Sequence, residues 1–151
     1  MNIGIDARSL KKQRGIGNVV YNLLKHFKKN NNIKFIIYID NDDLRTLIPN
    51  NKSFVIKKLP FGIYPLWEQI ILPIFATFDQ LDVLHCPANS APIFLSRKIK
   101  LLITVHDIIY CFPDTVIPRS PILYQNIGRR YLSFIVPKCI KRADKVVTVS
   151  Y

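Results

Sequence analysis

Acidic residues are scarce in this chain: nine aspartates and a single glutamate, Glu68, stand against 22 lysines and arginines, for a formal net charge of +12 in 151 residues. Such an excess favours anionic partners, whether phosphorylated small molecules, an anionic membrane surface or nucleic acid. The basic residues fall in short scattered groups, such as Lys11, Lys12 and Arg14, or Lys138, Lys141 and Arg142. No zinc-ligand pattern or other nucleic-acid motif accompanies them, which argues against nucleic acid. Cysteine is sparse as well. Cys86, Cys111 and Cys139 are odd in number and widely spaced, forming neither a disulfide framework nor a metal pattern, and they fit a reducing compartment. No apolar run approaches the ~20 residues that span a bilayer. Met1 leads straight into a strand with no signal peptide, so the expected location is the cytoplasm. Repeats and low-complexity segments are missing too. A hydrophobic content of 49% against 21% charged residues excludes disorder and leaves a globular chain of one domain, residues 1–151.

What is present is organised around Leu101-Leu-Ile-Thr-Val-His-Asp-Ile-Ile-Tyr110, a run of β-formers that ends abruptly on His106 and Asp107. In an open α/β sheet the carboxyl ends of the strands border the ligand crevice, so this pair is either a site or a loop-fixing hydrogen-bond pair. Other strands are expected at 3–5, 33–39, 54–56, 82–85 and 145–149. The first ends on Asp6, whose carboxylate can accept backbone N–H bonds from the following loop. The fourth ends on His85, and its loop, Cys86-Pro-Ala-Asn-Ser-Ala-Pro92, should face the His106 loop if the two strands are neighbours.

Between the strands, Gly15-Ile-Gly17 precedes Val20, Leu23, Leu24 and Phe27, the apolar stripe of an amphipathic helix. Glycine backbone at a helix start suits a phosphate, although the same glycines equally permit a plain turn. The dinucleotide fingerprint does not fit: Val20 stands where a third glycine or alanine belongs, and the motif begins nine residues after Asp6. A helix over 66–78 is expected to kink at Pro73. From Ile122 onward, Leu123, Ile127, Tyr131 and Phe134 share a helical face expected to meet the core, with Pro137 resetting the phase. A basic, aromatic helix of this kind can also lie on an anionic membrane. Strands alternating with helices imply an α/β fold with a mostly parallel sheet and helices on both faces.

These stretches, taken in order, resemble one family. Ile3-Gly-Ile-Asp-Ala-Arg8, Gly15-Ile-Gly-Asn18, Leu66-Trp-Glu-Gln69 with Leu72-Pro73, Asp82-Val-Leu-His85 with Pro87, Thr104-Val-His-Asp107 and Arg142-Ala-Asp-Lys-Val-Val-Thr-Val-Ser150 are similar to the amino-terminal domain of retaining group-1, or family-4, glycosyltransferases, particularly the mannosyltransferase-like members. The resemblance implies a Rossmann-like, doubly wound half of a GT-B fold, on the acceptor side. It implies transfer of a sugar from a nucleotide-sugar donor to a glycan or lipid-linked acceptor, with no metal and no other cofactor. Gly15 and Gly17 would lie near the donor diphosphate, His106 would reach the transferred sugar and Asp107 would orient the His106 loop. Acceptor contacts are expected among Arg8, Arg14, His85, Asn89 and Ser90.

The family's second domain carries a pair of glutamates seven residues apart, and this chain has Glu68 alone. The expectation is therefore that the donor-binding domain is absent and that the chain by itself is inactive, located in the cytoplasm or peripherally at the inner face of a membrane. A stand-alone phosphate- or nucleotide-binding module, or a peripheral membrane adaptor, are the competing readings.

Overall fold

The computed structural model describes residues 1–11, 15–28, 30–60 and 62–149. The uninterrupted apolar runs become strands because a strand buried on both faces has no polar position to alternate with. They are β1 (Asn2–Asp6), β2 (Lys34–Ile39), β3 (Phe54–Lys58), β4 (Val83–Cys86), β5 (Lys100–Val105) and β6 (Lys145–Thr148). All pair in parallel, in the order β3-β2-β1-β4-β5-β6. From β1 the chain winds outward to β3, then returns to the other side of β1 and winds outward again. The carboxyl ends of β1 and β4 therefore flank the switch point of a doubly wound, Rossmann-like sheet.

Alternation along the strands splits the core in two. Phe35, Ile37 and Ile39 of β2 face one layer with Ile5, Val20, Leu24 and Leu44. Ile36 and Tyr38 face the other, with Trp67, Leu72, Leu84, Leu101, Ile103, Ile135 and Cys139. The first layer is covered by α1 (Ile16–His26). On the second lie α2 (Tyr64–Leu66), a π turn (Trp67–Ile71), α3 (Leu72–Phe78) and α4 (Leu123–Arg142).

Gly4 is where the strands press closest on this second layer. A Cβ there would sit 2.3 Å from Leu81 Cδ1, 3.0 Å from Tyr38 Cε2 and 3.3 Å from Leu84 Cδ1. Gly4→Ala is expected to cost about 1–3 kcal/mol of stability through overpacking, read as a lowered urea midpoint with an unchanged slope.

Two expectations about helices need correction. The irregularity expected at Pro73 lies one turn earlier: Leu72 donates its N–H five residues back to the Trp67 carbonyl, and the regular helix resumes with Pro73 in its first turn. A proline lacks the N–H for its own i−4 bond and crowds that carbonyl, and the widened turn just before it absorbs the misfit. In α4, Leu123, Ile127 and Phe134 are exposed, at 74%, 57% and 61%. The residues that meet the core are Ile135, Val136 and Cys139, with Tyr131 packed against its margin. At 20 residues α4 is about 30 Å long, whereas the six residues of β5 cover only about 20 Å, so its first half runs past the sheet. Pro137 sits inside the helix and does not end it.

Candidate functional site

Three loops leave the carboxyl edge of the sheet next to one another: 7–11 after β1, 87–92 after β4, and 106–109 after β5. Their side chains interlock. Asn89 adopts a left-handed backbone, φ 63°, a conformation that asparagine tolerates better than most residues. Its N–H donates to the Thr104 carbonyl at 3.0 Å. Its Oδ1 accepts from the His106 N–H at 2.6 Å, and its Nδ2 reaches Asp107 Oδ2 at 3.5 Å. Asn89 thus ties the end of β5 to the loop after β4.

His106 is half-buried, with Nε2 2.8 Å from the Pro87 carbonyl. A carbonyl can only accept, so Nε2 carries a proton, and Nδ1 has no partner among the described residues. Asp107 is exposed; its Oδ1 accepts from the Ile109 N–H at 3.2 Å, and its carbonyl accepts from the Tyr110 hydroxyl at 2.7 Å. The expected facing of the His85 and His106 ends holds, since β4 and β5 are paired neighbours. His85 itself is buried, with Nε2 2.9 Å from Thr104 Oγ1, and burial pushes its pKa down to about 4. It is neutral at physiological pH and braces the two strands.

Behind these loops lies a buried polar cluster centred on Glu68, the chain's one glutamate, which is 1% exposed. It accepts from Ser90 Oγ, from the Tyr131 hydroxyl at 2.7 Å and from Gln69 Nε2 at 2.7 Å. Ser90 Oγ also lies 2.7 Å from the Tyr64 hydroxyl. Asp6 accepts from the Arg8 N–H at 3.1 Å, as its place after β1 suggested, and from Trp67 Nε1 at 3.3 Å. Burial raises the Asp6 pKa to about 6, Glu68 adding to the rise and those two donors opposing it. The Arg8 guanidinium pairs with Asp40 at 2.8 Å, donates to the Gly62 carbonyl at 2.7 Å and lies over the rings of Tyr64 and Trp67.

Of the residues singled out in the sequence, His85, Asn89, Ser90, His106 and Asp107 thus come together, and Arg8 joins them through Tyr64. Gly15, with φ 57°, precedes α1 and accepts at its carbonyl from the Asn18 and Val19 N–H groups, while Gly17 is buried within the helix. Arg14 and the strand-end Ser150 lie outside the described residues. Glu68, Tyr64 and Tyr131 were not among the candidate site residues; the one signal was a lone glutamate beside a tryptophan in an otherwise apolar helix. Among the described residues, no group of three or more His, Cys, Asp or Glu side chains is placed to hold a metal ion, and no helix is long and apolar enough to cross a membrane.

No curated protein and no solved structure matches the chain. A family model described as Glycosyltransferase Family 4 matches residues 13–151. With the parallel sheet, its switch point and the His106 loop beside it, that match assigns the chain: it belongs to glycosyltransferase family 4.

Proposed function

We propose that these residues form the acceptor-side wall of a sugar-transfer site, in which a nucleotide-sugar donor passes a hexosyl group, mannosyl being the first candidate, to a glycan or lipid-linked acceptor with retention of configuration. The observation that carries this reading is His106. It stands at the end of β5 near the switch point, anchored through Nε2 to Pro87 and through its N–H to Asn89, with Nδ1 left to accept from a sugar hydroxyl. A fixed acceptor beside an oxocarbenium-like transition state stabilises charge that develops only there. Asp107 orients the loop through Ile109 and Tyr110. Gly15 and Gly17, at the positive end of α1, contribute backbone to the donor diphosphate.

Arg8, Arg14, His85, Asn89 and Ser90 belong to the acceptor side. The partners that the structure gives to Arg8, His85 and Ser90 make them shapers of that surface more than free donors. In this reading the donor is gripped mainly by groups outside these 151 residues, among them the family's glutamate pair. The chemistry suits the cytoplasmic side of a membrane, where nucleotide sugars are used, and requires no metal.

Titration of the ¹⁵N-labelled chain followed by NMR tests the proposal. Candidate acceptor glycans and lipid phosphates are expected to shift the amides of 87–92 and 106–110 with weak, saturable affinity, and radiolabelled sugar nucleotides to show no transfer. Tight nucleotide binding that spares those loops would point instead to a phosphate-binding module. Turnover by the chain alone would overturn the claim that its donor site is incomplete.

A further inference from the structure

Beyond His106 and Asp107 the chain passes through Tyr110 and Phe112 into residues 113–122, and between this segment and the first half of α4 lies a cavity of about 450 Å³. That volume is in the range of small-molecule sites. Its polar side chains are nearly all committed elsewhere. Arg129 donates to the carbonyls of Ile117 at 2.7 Å and Phe112 at 2.6 Å. Arg119 pairs with Asp114 at 2.6 Å, the Asn126 amide is spent on Ser120, and Ser133 Oγ donates to the Arg130 carbonyl. Arg130 is exposed, and among the described residues its guanidinium has neither a hydrogen bond nor an ion pair.

The rest of the lining is apolar and open to solvent. Phe112, Leu123 and Ile127 are 45%, 74% and 57% exposed, and Val116, Ile122 and Tyr124, close by in the chain, are exposed apolar side chains as well. Against three arginines the lining holds one carboxylate, Asp114. A cavity with one uncommitted cation and a long apolar margin matches a single anionic head on a hydrocarbon chain. A nucleotide would need several free polar groups, and a neutral glycan would leave the arginine unpaired.

We infer that this cavity binds the phosphate head and first chain carbons of a lipid phosphate, Arg130 meeting the phosphate and Phe112, Leu123 and Ile127 the chain. Its role as the acceptor's anchor rests on the sugar-transfer reading above. Tyr110, which lines the cavity, donates its hydroxyl to the Asp107 carbonyl at 2.7 Å, so a head bound here lies next to the His106 loop.

Cys111 supplies the test, for it lines the cavity and is exposed, while Cys86 and Cys139 are buried. Decyl phosphate below its micelle concentration is expected to slow alkylation of Cys111 by iodoacetamide at least fivefold, with saturation. Inorganic phosphate and decyl glucoside at equal concentration should leave the rate unchanged. Arg130→Gln and Ile127→Ser should each raise the half-protecting concentration at least tenfold without altering the unprotected rate or the thermal midpoint, and Arg130→Lys should stay within threefold of the parent. Equal protection by decyl glucoside would reduce the site to an apolar patch, and equal protection by inorganic phosphate to a plain anion site. Protection only by vesicles containing anionic lipid would make it a membrane-lying face. Any of these overturns the inference. The readout needs no turnover, so protection of Cys111 without any shift of the 87–92 and 106–110 amides would count against the sugar-transfer reading alone.

Discussion

Trp67→Ala is expected to lower the stability of the folded chain by about 3–5 kcal/mol, the usual cost of removing a large aromatic from a close-packed core. Trp67 is fully buried in the layer that also holds Leu72, Leu84 and Ile103. Three neighbours suffer together: the core loses its largest side chain, Asp6 loses the indole N–H at 3.3 Å, and the Arg8 guanidinium loses the ring face 5.3 Å away. For a chain of this length the thermal midpoint should fall by about 10 °C or more. Trp67→Phe keeps most of the packing and removes the N–H, so it should cost about 1–2 kcal/mol. Trp67 is the only tryptophan, so both variants must be followed by far-ultraviolet circular dichroism and not by fluorescence. A fall under about 1 kcal/mol for Trp67→Ala would mean that the π turn does not seat this side chain in the core.

The second large effect is one of acidity, and it is hidden in the parent chain. His85 is pushed from 6.5 down to about 4 by burial. Between those values the unfolded chain takes up a proton that the folded chain refuses, so stability falls as pH falls. Asp6 is pushed by burial from 3.8 up to about 6, and there the folded chain takes up the proton first, so stability rises as pH falls. Each contributes about 3 kcal/mol across its window, with opposite sign. The two slopes therefore oppose one another in the parent between about pH 6 and 4. Asp6→Asn should uncover the histidine and lose about 3 kcal/mol as pH drops through that window, and His85→Gln should uncover the aspartate and gain a similar amount. Urea midpoints at half-unit pH intervals check both, and parallel profiles for the two variants would show that the opposition does not exist.

The strands could be read in the sequence because burial on both faces writes an uninterrupted apolar run, and because two of the runs stop at a residue that serves a loop, Asp6 and His106; His85 instead stays buried inside the sheet, bonded to Thr104, and its strand runs on to Cys86. The Asn89 loop could be placed near His106 for the same reason, once strands 82–85 and 100–105 were taken as neighbours. Glu68 could not be read. A carboxylate gives no periodic signal, and its burial depends on hydroxyls brought from residues 90 and 131, far away in the chain. The facing of α4 was misread because amphipathic spacing reports a stripe and not what lies opposite it. The apolar residues of its first turns line a cavity beside a loop, past the end of the sheet. The Arg8–Asp40 pair was equally silent, since its members stand at the ends of two different strands.

The strand order also carries a kinetic consequence. β1 to β3 and β4 to β6 pair across connections of 13 to 39 residues, but in the sheet the two halves meet only where β1 aligns with β4, and there Asn2 and Asp82 stand 80 residues apart. Closing that seam is the step with the largest loop entropy to overcome, so it governs how fast the sheet is completed. Asp6 and the Asn89–His106 loop lie on opposite sides of the seam. The pocket edge they share cannot exist in either half alone, so the site forms only once the seam is closed and is lost whenever the halves part.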